Sequence, residues 1–184
     1  MPMTIDKTQV QADTIAWLEK AVIGLNLCPF AKSVHVNKRI KYLVSDSDTP
    51  EALLQELAHE LLALNRADPD EIETTLLIHP KVLQDFLDFN DFIGAADALV
   101  EDLELDGQLQ IASFHPQFQF DGTEPDDITN YTNRSPYPIL HLLRESSIER
   151  ATETMADTDS IFEANVATLE KLGLAGWMAL GLRA

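Results

Sequence analysis

With 184 residues, 45% of them hydrophobic, the chain is long enough for one domain with a real core and short for two, so a single domain over residues 1–184 is expected. Thirty-one acidic against 13 basic residues give a formal charge of -18, which repels phosphate backbones and anionic lipid surfaces and argues against nucleic acid or a membrane as partner. A single cysteine, Cys28, excludes an internal disulfide and a CxxC metal site; with no signal peptide and no apolar run of about 18 residues, a cytoplasmic protein is expected.

The spacing of Ile15, Leu18, Val22 and Leu25 predicts a first helix over Gln9 to Leu25, ended by Gly24 and Cys28-Pro29. The β-rich run from Ile40 to Ser45 predicts a first strand, and the cations before and in it, Lys32, Lys38, Arg39 and Lys41, suit an exposed edge. Thr49 as N-cap and Pro50 at the first helical position open a second helix with a stripe of Leu54, Leu57 and Leu61. A second strand follows at Thr74 to His79. Val82, Phe86, Phe89, Ile93, Ala96, Val100 and Leu103 then step by four and three, the pattern of a core helix.

Asp106-Gly107 turns the chain into a third strand, Leu109 to His115. Helices and strands in alternation predict an α/β sandwich around a small sheet of three or four strands, with about five helices. An α+β arrangement of ferredoxin-like kind, with Val34 to Asn37 as an extra antiparallel strand, fits the same order. Pro116 to Pro138 is a 23-residue connection without hydrophobic periodicity, yet rich in aromatics, which marks it as a functional loop. A fourth helix is expected from Pro138 to about Ala156, and a fifth from Ser160, where Ser160 and Glu163 form a capping box, to Gly173. The apolar tail with Trp177 and Met178 should pack on the domain or build a homodimer.

Two strands end in a His-Pro pair, at His79 and His115, and the first strand ends near Asp46. Parallel strands would align all three along one edge, where two imidazoles and a carboxylate can hold a divalent metal; His-Pro also simply stops a strand, and otherwise no cofactor is expected. The stretch TNRSPYPILHLLRE, Thr132 to Glu145, offers the ingredients of an anion site. Asn133, Arg134, Ser135 and Tyr137 precede a helix start with free amides, and His141, Arg144 and Glu145 share one face of that helix. Cys28, at a short turn in NLCPFA, is a nucleophile if a helix start lowers its pKa and a small buried hydrophobe if not.

The segments NLCPFA, FHP and TNRSPYPILHLLRE resemble the signature segments of a bacterial and plant family catalogued as domain of unknown function 1415. The resemblance implies an intact single-domain member and groups Cys28, Pro29, His115, Asn133, Arg134, Ser135, Pro136, Tyr137, His141, Arg144 and Glu145 in motif segments, without implying an activity. The expectation from the residues is a protein that takes a small anionic metabolite. Arg134 and Arg144 would hold the anion, His115 and His141 would move protons, and Cys28 would be nucleophile or pocket wall. A non-catalytic interaction module is the competing reading.

Overall fold

The computed structural model describes residues 4–154 and 158–183. Four strands form one mixed sheet in the order β1-β2-β4-β3, with β1 at Ile40–Val44, β2 at Thr74–Ile78, β3 at Leu109–Phe114 and β4 at Ile139–Arg144. β1 and β2 are parallel, and β4 runs antiparallel to both β2 and β3, so β1, β2 and β3 all point one way. Helices cover both faces of the sheet. The architecture is the expected single-domain α/β sandwich, without the ferredoxin-like strand order.

Alternation along the strands divides the core in two. Val44, Leu76, Ile78 and Ile139 face α1 (Lys7–Trp17), a π-helical turn (Leu18–Ile23), α2 (Ala31–Val36) and α6 (Thr158–Met178). Leu77, Leu109, Leu140 and Leu142 face α3 (Pro50–Arg66) and α4 (Phe86–Asp102). β2 lies between β1 and β4 with every residue buried, as its continuous apolar run requires.

Local chemistry sets the start of α3 as expected, whereas α4 starts at Phe86 and leaves Val82 before it. The Thr49 hydroxyl accepts from Ala52 N–H at 3.1 Å with Pro50 following, and the Asp85 carboxylate caps α4 through Asp88 N–H at 3.1 Å. Three elements differ. Val34 to Asn37 is not a strand, since α2 extends to Val36. Its cationic neighbours are paired: Lys41 Nζ lies 2.8 Å from Glu60, and Arg39 sits 3.8 Å from Glu73.

The expected fourth helix begins instead as β4. Ile139, His141 and Leu143 alternate with Leu140, Leu142 and Arg144, and strands on both sides supply backbone partners that outweigh the residues' helical propensity. Helix appears only from Glu145, as α5 (Glu145–Thr154); Ala156 lies outside the described residues. α6 begins two residues before Ser160, so that serine is not its cap, but Gly173, with a non-helical φ of 68°, ends its first helical segment as expected, and a second segment follows to Met178. Trp177 packs on the domain and is buried, while Met178 is exposed.

Candidate functional site

The long connection is an ordered structure. A 3₁₀ helix, Ile128–Asn133, forms in its second half, and fully buried Asn130 pins the rest: its Oδ1 accepts from Phe120 N–H at 2.8 Å, its Nδ2 donates to Glu124 O at 2.9 Å. Arg134 donates from Nε to Phe118 O at 3.0 Å and from Nη2 to Pro125 O at 2.6 Å, and lies 4.5 Å over the Tyr131 ring. The Ser135 hydroxyl turns inward to Tyr137 O, and Asn133 Nδ2 donates to Ser113 O at 3.0 Å, tying the loop to β3.

These loop residues form one wall of a cavity of about 190 Å3. Arg134, Ser135 and Pro136 face Trp177, Met178, Leu182 and Arg183 from the C-terminal segment, with Trp17 and Pro116 closing the sides. Trp17 Nε1 donates to Arg134 O at 2.9 Å, and Tyr131 meets Trp177 edge-on at 5.1 Å, so the aromatic walls are fixed by their own contacts. Two guanidinium groups line this cavity. Arg134 keeps Nη1 without a protein partner among the described residues, whereas Arg183 stacks 4.9 Å from the Tyr137 ring and pairs with Asp13 at 3.6 Å. Tyr137 itself donates to Asp13 at 2.6 Å; burial, and next the adjacent carboxylate, push its pKa up to about 12.

The remaining candidates lie elsewhere. His115 is on the opposite sheet face from this cavity, with both ring nitrogens committed: Nδ1 accepts from Gln117 N–H and Nε2 donates to Leu83 O, each at 3.0 Å. Burial lowers its pKa, which keeps it neutral. His79, fully buried, donates from Nδ1 to Val82 O at 3.0 Å and packs on Phe89, as His115 does. Its burial pulls the pKa down to about 4. Asp46, His79 and His115 do follow the ends of three parallel strands, but the histidines turn under α4 while Asp46 stays at the surface between Lys7 and Lys81. Among the described residues no group of three or more His, Cys, Asp or Glu is placed to hold a metal ion.

Arg144 lies at the end of β4, with 7% of its surface exposed, and its Nη2 donates to the carbonyls of Leu64, Ala67 and Ile72 at 2.8, 3.0 and 2.8 Å. It therefore closes the C-terminus of α3 and is remote from the loop cavity. Glu145 opens α5, its N–H bonded to Gln108 O at 2.9 Å. Because 139–144 is a strand, His141, Arg144 and Glu145 do not share a helical face.

His141 and Cys28 instead line a second, smaller cleft beneath α2, shared with Trp17, Phe114 and Thr74. The amides of Phe30 and Ala31 approach the Cys28 sulfur, but burial outweighs them and raises the thiol pKa, so the expected thiolate does not form at neutral pH. Burial lowers His141 to about 4. Sequence reasoning missed Trp17, Tyr131, Trp177 and Arg183 as cavity walls. Only the aromatic density of the loop and the apolar tail hinted at them.

A family model matches residues 9–179, described as a protein of unknown function (DUF1415). No curated protein and no solved structure matches the chain.

Proposed function

The chain belongs to the DUF1415 family, whose description assigns no activity, and from its own cavity we propose that it binds a small organic anion with a flat, apolar body. One observation carries this reading: in a chain of net charge -18, two arginines line one aromatic-walled cavity. Arginine recognises carboxylate and phosphate through paired donors, and Trp17, Tyr131 and Trp177 offer ring faces and edges for the ligand's body. The volume, about 190 Å3, favours a metabolite smaller than a nucleotide. The buried, neutral histidines and protonated Cys28 supply no charged group to this cavity, so the reading is one of binding. A reducing, cytoplasmic setting suits the free thiol of Cys28.

A thermal-shift screen of small carboxylates and phosphorylated metabolites tests it, repeated on Arg183→Ala. An anion at a hundred times its dissociation constant adds about 2.7 kcal/mol, a rise of about 5 to 10 °C for a chain of this size. The gain should shrink at least tenfold in affinity in the variant. No gain with any anion would remove the reading.

A second reading rests on Leu174 and Met178, one helical turn apart beyond the Gly173 kink and 54% and 66% exposed. Their apolar surface suits a homodimer or protein partner. Sedimentation at rising concentration tests the dimer, which predicts an increase in mass that Met178→Glu abolishes.

A further inference from the structure

The second cleft, about 50 Å3, lies between the π-helical turn, α2 and the sheet, and shares only Trp17 with the anion cavity. Most of its lining is hydrocarbon, from residues such as Val22, Val34, Leu76 and Phe114. Its two titratable side chains are both uncharged at neutral pH: burial keeps Cys28 a thiol and His141 an imidazole. A charged ligand finds no counter-charge here, and burying one would cost far more than the cleft returns.

The proton on His141 is placed by its neighbour. Thr74 has one hydroxyl hydrogen, and it is directed to the Leu142 carbonyl at 2.6 Å, because a carbonyl can only accept. The contact between the Thr74 oxygen and His141 Nε2, at 2.7 Å, must then have the ring N–H donating. Nδ1 therefore carries the lone pair. No protein group among the described residues donates to it, so it is open to a donor from outside the protein.

The wall opposite the sheet is unusual in its own right. Leu18 and Val22 reach the cleft from a π-helical turn, in which Gly24 N–H bonds to Glu19 O at 3.0 Å. Such i to i+5 turns inside α-helices are uncommon and gather at functional sites.

We propose that this cleft binds a small, neutral, mainly apolar molecule that donates one hydrogen bond to His141 Nδ1, as an alcohol or N–H heterocycle does. The volume holds roughly three to five water-sized units, so a chain of four or five heavy atoms is the scale of the occupant. This site is independent of the anion cavity.

The test compares 1-butanol with n-pentane, which has the same shape without the donor. Binding is followed by the 15N resonance of His141 Nδ1 and by the rate at which methyl methanethiosulfonate modifies Cys28. The expected result is a saturable upfield shift with 1-butanol and slower Cys28 modification, with 1-butanol binding about 2- to 10-fold tighter than pentane. In His141→Phe the preference should vanish. Thr74→Val, which releases the ring proton to move to Nδ1, should weaken it as well and serves if the first variant does not fold. The proposal is overturned if 1-butanol leaves both signals unchanged in the wild type, if pentane binds equally well, or if the preference survives in both variants.

Discussion

Lowering the pH from 7 to 4 should remove a large part of the folding free energy, and the loss should begin well above the range in which the carboxylates titrate. His79 and His141 have folded pKa values of about 4 against 6.5 for an unburied imidazole, in both cases chiefly because burial disfavours the charged form. The folded state refuses a proton that the unfolded state accepts. Each residue's contribution is thus intact above about pH 6.5 and lost as pH falls toward 4. At 1.36 kcal/mol per unit, a gap of about 2.5 units amounts to roughly 3 kcal/mol per histidine. Two together approach 6 kcal/mol, comparable to the whole stability of an ordinary domain. Urea unfolding at pH 7, 6, 5 and 4 measures this, with His79→Phe and His141→Phe as controls, each of which should flatten the pH dependence by about 3 kcal/mol over that range. Equal stability at pH 7 and 4.5, or slopes that neither variant changes, would refute the reasoning.

Other perturbations have defined outcomes. Arg144→Met removes the guanidinium donor from the Leu64 and Ala67 carbonyls at the end of α3 and from the Ile72 carbonyl before β2, and should cost about 3 to 5 kcal/mol, read as a lower urea midpoint with an unchanged slope. Gly24→Ala places a Cβ 2.3 Å from Lys20 O in the π-helical turn, a clash with backbone that should lower the melting temperature by several degrees; an unchanged value would show that the turn relaxes freely. Tyr137→Phe removes the hydroxyl held by Asp13 and should cost about 1 kcal/mol in urea unfolding.

How far the sequence foretold this arrangement depends on the scale of the signal. Leu57 and Leu61, and Phe89, Ala96 and Val100, recur at helical spacing and are buried, which was enough to place α3 and α4, although Leu53 and Leu64 rather than Leu54 complete the buried face of α3 and Val82 precedes α4. The parallel edge ending in Asp46, His79 and His115 was also legible, because short strands alternating with helices leave few topologies. Ile139 to Arg144 was not. Six residues that are apolar but for His141 and Arg144 fit a helix or a buried strand alike, and the decision was made by β2 and β3, distant in sequence.

That one misreading moved Arg144 from a supposed anion clamp to the end of α3, and His141 from a polar helical face into an apolar cleft. The loop fared better as a location than as a list. Arg134 and Ser135 do line the cavity, but their partners Trp17, Trp177 and Arg183 come from the two ends of the chain, and no local pattern links residues so far apart.

Trp17 and Trp177 are the two tryptophans of the chain, and both line the arginine cavity, so intrinsic fluorescence reports directly on it. The most direct test is a titration with phenyl phosphate, against neutral benzyl alcohol, in the wild type and in Arg134→Ala and Arg183→Ala. The account predicts a saturable change with the anion, weaker by at least tenfold in each variant, and none with the alcohol at the same concentration. A wild type blind to phenyl phosphate, or responses to the anion and the alcohol that are alike and indifferent to both arginines, would contradict it.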